Sequence, residues 1–167
     1  GCWTATGRRF TLFLQRDFGL DLNSRNFCTV SNVTLTTSAD RAASAGARGM
    51  SGHHGIDVSH GTENLVTGFD VRTKLVHDIS VEWYALHTVF SKGRGVDLNM
   101  DHHREANYSS LFSRIDCGAC TRPFDSGGSR DRGAHAGAFQ HVLAQGGGLG
   151  VQGLLRDGEV GAHVLLE

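Results

Sequence analysis

Residues 55–58 (GIDV) and 78–81 (DISV) share a four-residue pattern in which apolar and polar residues alternate. A third copy, residues 32–35 (NVTL), precedes them, and the three copies begin 23 residues apart, at residues 32, 55 and 78. Alternation of this kind is typical of a β-strand with one apolar and one polar face. Related tetrapeptides occur at residues 68–71 (GFDV), 95–98 (GVDL) and 114–117 (RIDC).

Short strands at this spacing predict an all-β solenoid. Turns rich in Gly, Asn and Asp separate the copies, and residues 55–117 show no sustained helical spacing of apolar residues. A coil of about 20 residues cannot bury its own apolar row, so stacked coils would build one core together. The alternative is a β-sandwich with evenly spaced strands.

Length and composition narrow the classes of function. A chain of 167 residues suits one domain. Its 16 basic and 17 acidic residues give a net charge of −1, which argues against a general nucleic-acid binder. No apolar run of about 18 residues occurs, so no membrane span is predicted.

The two ends of the chain differ from its middle. We expect residues 1–141 to form the coils with a lead-in strand, and residues 142–167 to form a Gly-rich, weak final coil or an uncapped tail. Solenoids need polar terminal caps because a bare last coil exposes a strand edge. We recognise no convincing cap sequence at either end. We therefore expect a partial solenoid that is a fragment of a longer one.

The four cysteines are Cys2, Cys28, Cys117 and Cys120. Only the last two have the spacing of a metal or redox motif, and the second such pair that a zinc ribbon needs is absent. A redox motif would open a helix after a strand, whereas these flanks are strand-like. A structural role, as buried thiols or a local disulfide, is therefore favoured over zinc or redox chemistry.

Several stretches within residues 53–139 carry a family resemblance. They are 53–58 (HHGIDV), 62–66 (TENLV), 69–73 (FDVRT), 76–81 (VHDISV), 93–98 (GRGVDL), 101–104 (DHHR), 108–112 (YSSLF) and 121–124 (TRPF). The region resembles the right-handed parallel β-helix superfamily typified by pectate lyases, and more narrowly a group of bacterial secreted β-helix proteins related to polysaccharide-processing enzymes. The resemblance covers about half of the chain. It implies a polysaccharide substrate and a secreted or extracellular location, although no signal peptide is visible.

The densest polar cluster is Asp101, His102, His103 and Arg104. Adjacent residues of a strand point to opposite faces, so at most one of the two imidazoles is expected to face a given groove. That imidazole would give or take a proton, and Arg104 would hold an anionic sugar group. The alternative is that the histidines pack in a turn and the charges are solvated.

The repeated tetrapeptide also predicts a column of stacked polar side chains. If successive copies pair in register, the column contains Asp57, Ser80, Asp97 and Asp116, about 4.8 Å apart. Asp97 and Asp116 would then have the separation of a glycosidase carboxyl pair. The alternative is that these carboxylates accept hydrogen bonds from turn amides.

The remaining candidates concern binding. Arg94, Tyr108 and Arg122 are predicted to bind substrate together with Arg104. His53 and His54 could supply metal ligands together with His60 and His77. Packing or groove lining is favoured for them, because adjacent ligands on a strand should diverge. No metal site is predicted, and Ca²⁺ held by stacked carboxylates is the one cofactor considered.

These observations predict a carbohydrate-active protein that cleaves a polysaccharide in a surface groove. In a lyase, His102, His103 or Arg104 would be the base, whereas in a glycoside hydrolase Asp97 and Asp116 would be the acid and its partner. The alternatives are a non-catalytic glycan-binding or adhesive module and an inactive fragment of a longer enzyme. The oligomeric state stays open.

Overall fold

A computed structural model describes residues 10–13, 18–37, 52–134, 141–145 and 163–166. Within these ranges the chain is nearly all-β, with one 3₁₀ turn at Arg130–Arg132 and no α-helix. No helix in this part of the chain is long and apolar enough to cross a membrane. The strands are β1 (Phe10–Phe13), β2 (Phe18–Asp21), β3 (Thr29–Ser31), β4 (Val33–Thr36), β5 (His54–Ser59), β6 (Leu65–Thr67), β7 (Asp70–Val71), β8 (His77–Glu82), β9 (Val89–Gly95), β10 (Met100–His102), β11 (Leu111–Asp116), β12 (His141–Gln145) and β13 (His163–Leu166).

These strands form two sheets in which neighbouring strands are parallel. The larger sheet runs in the order β1-β4-β7-β9-β11-β12-β13, and β3 and β6 extend it alongside β9. The smaller sheet has the order β10-β8-β5-β2. The all-β expectation is therefore confirmed. β12 crosses the boundary placed after residue 141, and β13 pairs with it in the larger sheet.

Backbone corners with positive φ recur at matching points of the chain. Three columns of such residues occur: Ser24, His60, Trp83 and Arg104; Phe27, Glu63, His87 and Ser109; Asn32, Gly68, Lys92 and Arg114. Left-handed backbone costs a non-glycine residue about 1–2 kcal/mol. Hydrogen bonds along each column help to offset this cost. For example, the amide of His60 donates to the carbonyl of Trp83.

The apolar faces of both sheets contribute to one core. Ile56, Ile79 and Met100 occupy paired positions on adjacent strands of the smaller sheet and are fully buried. Phe90 and Phe112 stack in the larger sheet with ring centroids 5.1 Å apart. These residues belong to a single hydrophobic cluster. The apolar positions of the tetrapeptides face inward as expected, except for Val96 of copy 95–98, which is exposed.

The predicted polar column is correct only for its first step. Asp57 pairs with Ser80, but Ser80 pairs with Asp101 rather than Asp97. Asp116 lies in the larger sheet, where it pairs with Arg94. The prediction failed because the two sheets each contain copies of the tetrapeptide. Copies 32–35, 68–71 and 114–117 fall in the larger sheet, copies 55–58 and 78–81 fall in the smaller one, and copy 95–98 follows β9.

The polar and sulfur-containing residues at the turns are tied into the stack. Asn64 accepts a hydrogen bond from the amide of Cys28 at 3.0 Å and donates one to the carbonyl of Arg25 at 2.7 Å. Cys117 and Cys120 are buried and form a disulfide, which confirms the structural role over zinc or redox chemistry. Residues 38–51 of the small-residue stretch 36–52, and Cys2, lie outside the described residues.

Gly93 offers a test of the packing between strands. A Cβ at this position would overlap the ring of buried Phe69, so we expect Gly93→Ala to lower the free energy of unfolding by about 1–3 kcal/mol. Urea unfolding measures the change. Val96→Ala, at an exposed position, is the control and should change stability by less than about 0.5 kcal/mol. Equal stability of the two variants would contradict the packing described.

Candidate functional site

The smaller sheet gathers imidazole and carboxyl groups from several strands. We call them the histidine–carboxylate cluster and define it by seven residues. His54 and His77 are the first residues of β5 and β8 and pair with each other. Two further imidazoles flank the strands, one just before β5 and one just after β10. The members are His53, His54, Asp57, His77, Glu82, Asp101 and His103.

Asp101 is the buried anion of the cluster. Its Oδ2 lies 2.7 Å from Nδ1 of His103 and 2.8 Å from Nδ1 of His77, and its Oδ1 accepts the amide of Gly127 at 2.9 Å. Burial opposes its ionisation, but the hydrogen bonds from His103 and His77 hold the pKa of Asp101 well below its usual range. An anionic Asp101 can only accept, so Nδ1 of His103 donates to it.

The four imidazoles lie against one another. Ring centroids are 4.3 Å apart for His53 and His54, 4.7 Å for His54 and His77, and 4.8 Å for His77 and His103. Burial, with further repulsion from His77 and His53, lowers the pKa of His54 to about 3. His54 is therefore a neutral imidazole at physiological pH. Burial opposes the charged form of His103, but the hydrogen bond that its Nδ1 donates to Asp101 raises the pKa of His103.

A carboxyl pair adjoins these rings. Asp57 and Glu82 interact electrostatically: burial, followed by the charge of Glu82, raises the pKa of Asp57 to about 8. Burial likewise raises the pKa of Glu82. The pair therefore holds a proton on Asp57 at neutral pH. Glu82 Oε2 is 3.9 Å from Nε2 of His103, so the pair adjoins a basic nitrogen.

A glycine-containing loop closes over the cluster. Ser126 Oγ accepts the amide of His102 at 3.1 Å, and Gly127 donates its amide to Asp101. A Cβ on Gly127 would lie 2.6 Å from Cε1 of His77 and would also overlap the ring of His103. Only glycine lets the backbone approach both imidazoles this closely.

The two pairs of adjacent histidines behave differently. His102 and His103 follow strand alternation: His102 is buried with its ring centroid 5.1 Å from that of Phe112, whereas His103 turns toward Asp101. The two rings therefore point in different directions, and which of them faces a groove stays a prediction. The expected divergence of His53 and His54 is wrong, because His53 precedes β5, where strand alternation does not apply.

Asp97 and Arg122 lie in a separate network. Asp97 contacts Lys74 Nζ at 2.5 Å and accepts both the amide and the hydroxyl of Thr121 at 2.7 Å. Arg122 pairs with buried Asp78 at 2.6 Å and donates to the carbonyl of Val76 at 2.9 Å. These bonds join neighbouring turns of the chain. Asp97 thus accepts a hydrogen bond from a turn amide, which is the alternative to its predicted role in a carboxyl pair.

The remaining predicted residues lie elsewhere. Asp116 and Arg94 line a pocket of about 510 Å³ on the larger sheet, where Arg94 contacts Asp70 at 2.7 Å. Arg104 is buried and donates to the carbonyl of Gly133. Tyr108 is 39% exposed and meets the ring of His87 edge-on. The structure thus brings Asp101 and His103 together, and it contradicts the pairing of Asp97 with Asp116.

Sequence reasoning missed Glu82 as a site residue, and it assigned His77 to packing or groove lining. His77 precedes a tetrapeptide copy, and Glu82 follows the same copy, so β8 carries polar groups at both ends. The run Ser126, Gly127 and Gly128 was a further signal, since only Asp125 separates it from the family-like stretch 121–124. Comparisons with protein-family models, curated proteins and solved structures find no match to this chain.

The carboxyl pair makes stability depend on pH. Folded Asp57 keeps its proton to about pH 8, whereas the unfolded chain releases it near its ordinary pKa of 3.8. The contribution of Asp57 to the free energy of unfolding is therefore fully present below about pH 4 and is lost as the pH rises through 8. Asp57→Asn should reduce the loss of stability between pH 5 and pH 9 by about 1 kcal/mol or more, as measured by urea unfolding.

Asp116→Asn is the matched control for this experiment, because Asp116 is exposed and lies on the other sheet. It should follow the wild-type pH profile. Parallel profiles for wild type and Asp57→Asn would contradict the assignment of this proton to Asp57.

Proposed function

We propose that the chain is part of a right-handed parallel β-helix that cleaves an acidic polysaccharide by β-elimination. The fold proposal is supported by parallel strands in both sheets and by three columns of corner residues with positive φ. Corners that recur at matching points are expected when successive coils repeat one path. The family resemblance of residues 53–139 points to the same fold and substrate class.

The observation that carries the activity is the contact between a base and an acid in one cluster. Asp101 holds His103 by Nδ1, which leaves Nε2 as the atom that can take a proton. Glu82 Oε2 lies 3.9 Å from that nitrogen, and Asp57, which interacts with Glu82, keeps its proton to about pH 8. His103 is also among the more exposed cluster members, with a side chain 13% accessible.

β-Elimination needs both a base and an acid. His103 Nε2 would remove the proton alpha to the uronate carboxylate, and the electron pair would form the new carbon–carbon double bond. The bond from the β-carbon to the glycosidic oxygen would break, and that oxygen would take the proton held by the Asp57–Glu82 pair. No water is consumed, and one proton is taken up for each one delivered.

The surroundings of the cluster suit an acidic sugar. Arg132 lies over the ring of Trp83 at 4.4 Å and contacts Glu105 at 3.6 Å, next to the strand end that bears Glu82. Its guanidinium provides positive charge near a bound carboxylate. Tyr84 is 57% exposed and is available to stack on a sugar ring.

The cysteines support a secreted or extracellular location. Cys28, Cys117 and Cys120 are all disulfide-bonded. Disulfides persist mainly in oxidising compartments, which are also where polysaccharides are encountered.

The activity is tested with a panel of polyuronates and neutral glucans. Wild-type protein should produce ultraviolet absorbance from an unsaturated uronide, and His103→Ala should lower the rate by about 100-fold or more. Asp57→Asn should also slow the reaction, because it removes the proton held on Asp57. Its residual rate should lack the alkaline decline expected near pH 8 in wild type.

Asp116→Asn is the control that distinguishes this site from the Asp97–Asp116 carboxyl pair predicted from the sequence. It should leave the rate unchanged, because Asp116 lies on the other sheet. Loss of activity in Asp116→Asn but not in His103→Ala would overturn the assignment. New reducing ends without unsaturated product would show hydrolysis in place of elimination. Binding without any cleavage would support the glycan-binding alternative.

A further inference from the structure

We propose that His53, His54 and His77 form a binding site for a divalent transition metal, with Zn²⁺ the best match. Each residue offers one ligand atom, and these atoms lie within 4.8 Å of one another. The site goes beyond the polysaccharide-cleaving function, and neither proposal requires the other. It also reverses the sequence expectation that His53 and His54 diverge.

The arrangement of the rings fits a tetrahedral ion. Three imidazoles bound to zinc by bonds of about 2 Å place their ring centroids about 5 Å apart. The observed centroid separations are 4.3 Å for His53–His54, 5.1 Å for His53–His77 and 4.7 Å for His54–His77. The three rings are thus already close to the spacing that one ion requires, and small side-chain rotations would complete it.

A buried carboxylate orients one of the ligands. Asp101 Oδ2 lies 2.8 Å from Nδ1 of His77, so Nε2 is the nitrogen that His77 offers to a metal. A carboxylate behind a ligating histidine is common in zinc sites, because it fixes the tautomer and increases the basicity of the ring. Asp101 is fully buried and anionic, so it also offsets part of the charge of a dication.

The donor set selects the class of metal. Imidazole nitrogens suit Zn²⁺, Co²⁺, Ni²⁺ and Cu²⁺, whereas Ca²⁺ requires several oxygen ligands. Three protein ligands leave the fourth position of a tetrahedral zinc ion open to water or a small anion. The Ca²⁺ considered at the sequence level therefore does not fit these residues.

A second group of three, His77, Asp101 and His103, has comparable spacing. Within it, Asp101 Oδ2 already binds Nδ1 of both histidines, at 2.7 Å and 2.8 Å. In this second group, Asp101 Oδ2 and Nδ1 of His103 therefore already bind each other. His53 and His54 are the ligands that distinguish the first group from the second.

The experiment measures metal binding by the full chain after treatment with a chelator. Titration with Zn²⁺ followed by calorimetry should show one site, and Co²⁺ should produce visible absorption bands of a tetrahedral complex. His53→Ala should weaken Zn²⁺ binding by at least about 100-fold, and Asp101→Asn by about 10–100-fold. His53 is partly exposed, so its variant should fold normally, which circular dichroism would verify.

Two control variants make the outcome decisive. His87→Ala removes an exposed imidazole that pairs with Glu63 and should bind Zn²⁺ as wild type does. His103→Ala should retain binding within about 10-fold. Greater loss in His103→Ala than in His53→Ala would overturn the ligand set in favour of the second group. Absence of Zn²⁺ binding and of Co²⁺ absorption in wild type would overturn the site altogether, whatever the result with polysaccharides.

Discussion

The parallel pairing of β5, β8 and β10 is the constraint on which the cluster depends. Hydrogen bonds between these strands place His54 beside His77 and Ser59 beside Glu82, and they set Asp101 opposite Ser80. A shift of one residue would turn Asp101 into the core, because successive side chains of a strand face opposite sides. The site is therefore as well defined as the backbone pairing, and its groups are far apart in sequence yet close in space.

Much of the fold could be predicted from local alternation. The apolar positions of residues 55–58 and 78–81 lie in β5 and β8 and face the core, because alternation depends only on strand geometry. The partner of Ser80 could not be predicted the same way. Alternation is identical in both sheets, so it does not show which copies share a sheet, and Asp97 was placed where Asp101 lies.

The site was predicted only in part, and there are physical reasons why the other members were not predicted. Asp101 and His103 were recognised from a dense run of polar residues. Glu82 and His77 were not, since each becomes important only through a contact with another strand. The position of His53 depends on where β5 begins, and sequence patterns define strand ends poorly. The pairing of strands that are distant in sequence, rather than any single motif, brings the residues of the cluster together.

The loop after β11, which contains Pro123, Ser126 and Gly127, has a second consequence, for self-association. The amide of Met100 donates to the carbonyl of Pro123 at 2.8 Å, and that of His102 donates to Ser126 Oγ at 3.1 Å. These donors would otherwise line an open strand edge, which is a template for pairing with another molecule. The segment that lies against His77 and His103 also shields this edge, so a change that detaches it would damage the chemistry and promote aggregation together.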